Sequence, residues 1–200
     1  MPRGLNVINV NPIIVVDYQP QWSEEFTAIA RPMHEALGDL ALRIDHIGST
    51  AVPGLAAKDV IDLQITVRDF TPDLEAAFQQ AGYERLEHTK DHRPPTAIGP
   101  DRDWEKQMYR PSTAFNARRM NIHVRRAGSA NGRYALLFRD YLRAHPLAAG
   151  AYGQAKMALA QHGPTDWDLY YDVKDPICDI IMAGAEEWAA STHWQIEHYS

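Results

Sequence analysis

Two stretches show clear alternation of apolar and polar residues. In ALRIDHIG (41–48) Leu42 and Ile44 share one side. In VIDLQITV (60–67) Ile61, Leu63 and Ile65 share one side, while Asp62, Gln64 and Thr66 share the other. This period of two predicts a pair of strands joined by a loop of about ten residues. Upstream, the β-branched run IIVVD (13–17) predicts a short strand, and PQWSEEFTAIARPMHEALG (20–38) has apolar positions at helical spacing. Pro32 is expected to kink or split that helix, because proline removes a backbone donor and crowds the preceding turn.

Downstream, TPDLEAAFQQAG (71–82) carries helix signals at both ends: Thr71 as N-cap, Pro72 in the first turn and Gly82 at the close. With a strand near Tyr83–Glu87, this gives a βαβ-like order. TKDHRPPTAIGPDRD (89–103) is rich in proline and charge and reads as a loop long enough to suggest function. WEKQMYR and RMNIHVR predict a hairpin across PSTAFNA. From Asn131 the period becomes helical through NGRYALLFRDYLRAHP and LAAGAYGQAKMALAQHG. A last helix is expected to start at Asp175 as N-cap and Pro176 in the first turn, before ICDIIMAGAEEWAA. The expectation is one α/β domain, with a mixed-sheet core over 13–126 and a helical C-terminal part over 131–190.

Composition narrows the class. The 200 residues, 45% of them hydrophobic, suffice for one substantial core. A net charge of -6 has the wrong sign for general adhesion to nucleic acid or anionic membrane, so neither is expected as a partner. The local cluster RRMNIHVRR (118–126) is either a solvated basic face or a means of neutralising a small phosphorylated ligand. A single cysteine, Cys178, allows no internal disulfide, and no run approaches the length of a membrane span; both fit a cytoplasmic protein.

The chemistry concentrates between the first two alternating stretches. Gly48, Ser49 and Thr50 follow a strand directly, and small residues there let amides and hydroxyls approach a phosphate. Asp62 is polar within an otherwise apolar strand, and an acid beside such a loop can hold Mg²⁺ against a triphosphate. The stretch HIGSTAVPGLAAKDVIDLQITV resembles the signature of the GrpB family, within the nucleotidyltransferase superfamily. Further likeness lies in NIHV (121–124), FRDYLRAHP (138–146), Tyr152 with Lys156, and YYDVKDPI (170–177).

The resemblance implies a nucleotidyltransferase-like mixed sheet with flanking helices. It also implies a small-molecule nucleotide as ligand and Mg²⁺ as cofactor, since the superfamily resembles itself in a Gly-Ser pair and an acid-x-acid strand that hold two metals. Gly48 and Ser49 match the pair and Asp62 the first acid, but Gln64, a neutral amide, stands at the second. His123 stands where a third acid is expected. Asp62 and His123 are therefore the catalytic candidates, Asp62 and Gln64 the metal-facing pair, and Gly48, Ser49, Thr50, Lys58, Tyr152 and Lys156 the nucleotide and phosphate contacts.

Other readings stand beside this one. GrpB-like domains resemble a segment fused to dephospho-CoA kinases, which implies a non-catalytic accessory domain; a third reading uses His123 as base or as ligand of a single metal. His46 is either satisfied by a backbone carbonyl or joins Asp62 and His123 on a metal. Tyr152 and Lys156, four apart on one helix face, are a packed tyrosine beside a surface lysine or a base-stacking ring beside a phosphate ligand. Asp45 and Asp59 are expected to be solvated, Asp140 to pair with Arg143, and Lys174 to contact phosphate or cover a helix end. Trp104 borders the long loop and is the tryptophan to watch.

Overall fold

The two alternating stretches become the strands β1 (Arg43–Ile47) and β2 (Ile61–Val67), paired antiparallel with Ile47 opposite Asp62. The computed structural model describes residues 11–87, 91–95, 97–112 and 118–196. Three further strands, β3 (Tyr83–Leu86), β4 (Gln107–Pro111) and β5 (Met120–Arg126), complete a five-stranded sheet in the order β1-β2-β5-β4-β3. β2 and β5 run parallel, and the other neighbours run antiparallel. The hairpin between β4 and β5 is as the sequence suggests, and residues 113–117 of its connection lie outside the described residues.

The alternation in β2 sorts the two faces of the sheet. Ile61, Leu63 and Ile65, with Ile122 and Val124 of β5, are sealed under helices α1 (Trp22–Leu37) and α2 (Pro72–Gln80). Trp22, Met33, Leu37, Leu74 and Phe78 close that core. Burial of each such side chain contributes about 1.5–3 kcal/mol, which fixes the register because a one-residue slip would turn Asp62 and Gln64 into it. Thr71 caps α2 by accepting from the Leu74 amide at 3.2 Å. The opposite face of the sheet looks toward the helical layer α3 (Ala130–Ala144), α4 (Pro146–His162) and α5 (Trp167–Thr192).

Three local expectations of secondary structure change. IIVVD forms no strand; only Val16 bridges Ala57, while Ile13 packs with Tyr170. Pro32 does not split α1, which runs unbroken from Trp22 to Leu37. Asp175 and Pro176 do not start the last helix: α5 begins under an Asp166 cap, 2.8 Å from the Leu169 amide, and passes through Pro176. Buried Tyr170 on one side of the proline and Cys178 and Met182 on the other hold both halves on one axis, and tertiary packing overrides the breaker.

Asp45, expected to be wet, is buried. Arg43 approaches it at 2.7 Å and Arg139 of α3 at 3.4 Å, and Arg139 also donates to the His46 carbonyl at 3.0 Å. The register places Asp45 beside Gln64 on the face turned to α3, so the strand edge is covered by a helix. Asp59 does remain largely exposed, although it accepts from Trp22 Nε1 at 2.7 Å and from Arg118. Asp140 lies 3.8 Å from Arg143, but its shorter partner is Arg139 at 2.7 Å.

Candidate functional site

The polar face of β2 and β5 and the loop after β1 form one wall of a cleft of about 1300 Å³, with residues of α3, α4 and α5 opposite. Gly48, Ser49, Thr50, Lys58, Asp62, His123, Tyr152 and Lys156 all line it, so residues more than a hundred positions apart in the chain meet there. The glycine has a specific cause. Gly48 has φ +70°, and a Cβ at that position would overlap Asp62 Oδ2. The backbone therefore crosses directly above the acid, and only glycine permits both the dihedral and the approach.

Lys156 is 3% exposed, and its ammonium donates to Ser49 Oγ at 2.7 Å while lying 4.5 Å from the centre of the Tyr152 ring. It is thus not a surface lysine. Burial lowers its pKa to about 7; Cys178 and Asp62 oppose that shift, and Lys174 and Lys58 reinforce it. Lys58 sits at the mouth, 4.9 Å from the Trp167 ring and 5.2 and 5.3 Å from those of Tyr170 and Tyr171. Lys174 lines the same wall, paired with Asp175 at 2.6 Å within α5, and there is no helix end for it to cover. Three amines thus face the cleft near a hydroxyl-bearing loop.

The acid lies at the floor. Asp62 Oδ1 accepts from Asn121 at 2.8 Å, and His123 Nε2 stands 3.9 Å from the same oxygen. Burial pushes the carboxyl up, but the His123 and Asn121 contacts and the charge of Lys58 together hold it below its usual value. His123 is itself lowered, chiefly by burial. Its Nδ1 faces the Lys106 ammonium at 3.4 Å, so the tautomer that satisfies both neighbours carries its proton on Nε2, toward Asp62. In that form His123 turns its N–H toward the acid across 3.9 Å, beyond hydrogen-bond reach, and its other nitrogen is taken up by Lys106 rather than free to act as a base.

Gln64 departs from the metal-facing expectation. It is 1% exposed and does not line the cleft; its Oε1 accepts from Arg125 at 2.7 Å and its Nε2 donates to the Gly132 carbonyl at 3.3 Å. Both ends of the amide are held inside the protein. Arg125 in turn bridges to Asp91 at 2.6 Å, and Asp91 also pairs with Lys106. Asp91, from the long loop, was not singled out by sequence, and its only signal there was the length of that loop. Two other arginines of the 118–126 cluster are likewise engaged: Arg118 with Glu25 and Asp59, Arg126 with Asp69 and Glu105.

These contacts do not fit a resident two-metal centre. Among the described residues no three His, Cys, Asp or Glu side chains converge on a metal position, and the ammonium of Lys106 stands between Asp91 and His123. Asp62 Oδ2 faces the Gly48 backbone, so one carboxylate would be the protein's contribution to a single hard cation at this point. His46 is no part of this set. It shares the opposite face with Leu63, bonds Thr50 Oγ1 at 3.0 Å and stacks on Phe26 at 4.7 Å; burial lowers its pKa to about 4.

Comparison with known proteins is decisive at family level. The GrpB protein family model matches residues 12–183. The chain belongs to the GrpB family. A solved structure, the conserved protein GrpB from Enterococcus faecalis, superposes with a TM-score of 0.69 at 30% identity, covering 88% of this chain and 99% of that one. A UPF0157 protein of Halalkalibacterium halodurans is 34% identical over 86% of this chain and 82% of its own length. A protein of Mycolicibacterium paratuberculosis named dephospho-CoA kinase is 37% identical over 92% of this chain. This GrpB family member spans 48% of that relative, about half its length. The fold is the nucleotidyltransferase-like mixed α/β arrangement that the resemblance implied. Among the described residues no helix is long and apolar enough to cross a membrane.

Proposed function

We propose that the cleft binds a nucleoside triphosphate and transfers its nucleotidyl group to a small acceptor. The observation that carries this reading is the Lys156 to Ser49 contact at 2.7 Å, on the wall of an open cleft that also presents Lys58 and Lys174. A buried amine with one hydroxyl partner is poised to take a second, anionic one, because each ammonium hydrogen left unpaired costs free energy. Phosphates rest on Ser49, Lys58 and Lys156. Asp62 would be the protein's ligand to a Mg²⁺ ion, which would offset the negative charge of the phosphates. In the transfer, an acceptor hydroxyl oxygen bonds to the α-phosphorus and the bond to the β-phosphate bridging oxygen breaks. Pyrophosphate leaves, and Asp62 is the group placed to receive the hydroxyl proton.

A second reading is favoured by one specific contact. With Gln64 locked between Arg125 and Gly132, the second metal-binding acid of a transferase is absent, and the same cleft serves as a ligand-binding accessory domain. The relatives named dephospho-CoA kinase, twice the length of this chain, suit that role. One experiment separates the two: the purified protein is incubated with ATP, GTP, CTP or UTP, Mg²⁺ and a pool of small hydroxyl acceptors. Binding with pyrophosphate release supports transfer, whereas binding without release supports the accessory reading. Failure of any triphosphate to bind contradicts both.

A further inference from the structure

The α3 side of the cleft holds features that phosphate binding does not use. Asn131, Tyr134 and Phe138 follow one another at spacings of three and four on α3 and all line the cleft, facing Trp104 from the turn Asp101–Trp104. The Trp104 and Tyr134 rings lie 6.2 Å apart at 68°, and Tyr134 and Phe138 are parallel at 6.3 Å. Phe138 continues edge-on to Tyr152 at 5.6 Å, which joins this wall to the Lys156 end.

Three polar atoms in this aromatic wall lack partners among the described residues: Trp104 Nε1, Asn131 Oδ1 and the Tyr134 hydroxyl. Trp104 is 6% and Asn131 2% exposed, yet among the described residues Trp104 Nε1 and Asn131 Oδ1 make no hydrogen bond. The other end of Asn131 is fixed, since its Nδ2 donates to the Glu105 carbonyl at 2.9 Å and to Asp91 at 3.2 Å. That anchoring sets which atom of the amide is left over. A buried donor or acceptor without a partner costs about 1–3 kcal/mol, so a free N–H and a free C=O at one cavity wall call for a ligand that supplies both.

We infer that this wall is the subsite for a planar, hydrogen-bonding ring, the base of the nucleotide, with Trp104 Nε1 donating to a ring acceptor and Asn131 Oδ1 accepting from a ring N–H or amino group. Tyr152, which the sequence leaves open as a packed or a base-stacking ring, is taken up elsewhere, because Lys156 covers its ring and its hydroxyl meets Cys178 at 3.4 Å. The inference deepens the nucleotide reading, but it rests on different atoms. An aromatic wall with a fixed donor on Trp104, a fixed acceptor on Asn131 and a hydroxyl on Tyr134 that can serve as either selects among bases by leaving a mismatched edge unpaired.

The test compares ATP, GTP, CTP and UTP with inorganic tripolyphosphate by calorimetry, on the wild-type chain and on Trp104→Phe, which keeps a ring and removes the N–H. The subsite predicts that the preferred triphosphate binds roughly tenfold tighter than tripolyphosphate, and that Trp104→Phe removes most of that advantage without altering tripolyphosphate binding. Equal affinity for tripolyphosphate and all four nucleotides overturns it, as does equal weakening of both ligand types by Trp104→Phe. Nucleosides without phosphate form the separating arm. If they quench the fluorescence that Trp104→Phe abolishes while tripolyphosphate fails to bind, the base subsite stands and the phosphate reading falls. If neither nucleoside nor nucleotide perturbs Trp104, the subsite is refuted.

Discussion

Lys156 Nζ lies 2.7 Å from Ser49 Oγ, an amine from the middle of α4 meeting a loop hydroxyl 107 residues earlier in the chain. The lysine is buried with Lys58 and Lys174 as cationic neighbours and Asp62 and Cys178 as the groups that oppose them. Its pKa of about 7 lies below the ordinary lysine value of 10.5. Folding therefore releases a proton between those two values. The cost of burying the ammonium is complete below about pH 7 and is relieved as pH rises toward 10.5. Urea unfolding of wild type and Lys156→Met should show the variant gaining relative stability at pH 6, with the gap closing by pH 10. A gap independent of pH contradicts the assignment.

Gly48→Ala should damage the site more than its size suggests. The added methyl meets Asp62 Oδ2 and the residue must hold φ +70°, a combination expected to cost about 1–3 kcal/mol. The midpoint of chemical unfolding reads this cost. A loss under about 0.5 kcal/mol, the scale of an ordinary surface change, would mean that the loop does not cross the acid so closely.

Gln64→Glu restores an acid at the second position, yet it should not create metal binding. Arg125, 2.7 Å from Oε1, captures the new carboxylate, and the other oxygen then faces the Gly132 carbonyl that the amide now satisfies. The expected result is a loss of about 1–3 kcal/mol in stability with no Mn²⁺ binding by calorimetry. Acquisition of a tight Mn²⁺ site would show that residue 64 can turn into the cleft.

Sequence pattern revealed the sheet face and the loop because both follow local rules. Alternation in β2 put Asp62 and Gln64 opposite Ile61 and Leu63, and the small residues 48–50 marked a close backbone approach. It could not show which polar atoms are spent on one another. Gln64 and Arg125 are 61 residues apart, and Asp45 and Arg139 are 94 apart, so neither pairing leaves a local trace. Pro176 failed as a helix start for the same reason: its local signal is strong, but Tyr170 and Cys178 pack on either side of it. Asp91 lies in the long loop, outside any period, and only the folded chain brings it to Lys106 and Arg125.

Lys106 holds the position a cation would take between Asp91 and His123, with Asp62 next along the floor. Removing it by Lys106→Ala takes a positive charge from between Asp91 and His123, while Arg125 still pairs with Asp91. The variant should gain divalent-ion affinity that the wild type lacks, read as one Mn²⁺ per chain by calorimetry without nucleotide. Lys106→Arg, which keeps the charge, should gain none. Equal Mn²⁺ binding by wild type and Lys106→Ala would show that the lysine does not occupy that place.

The central claim, that Ser49 and Lys156 form a phosphate site, is tested most directly by calorimetric titration of tripolyphosphate at pH 8 in buffers of differing ionisation enthalpy. An anion beside Lys156 raises its pKa from about 7, so wild-type binding should draw about one proton from the buffer, and affinity should fall as pH rises further. Lys156→Met should bind more weakly and take up none. Tight binding with no proton uptake, or binding unchanged in Lys156→Met, would contradict the account.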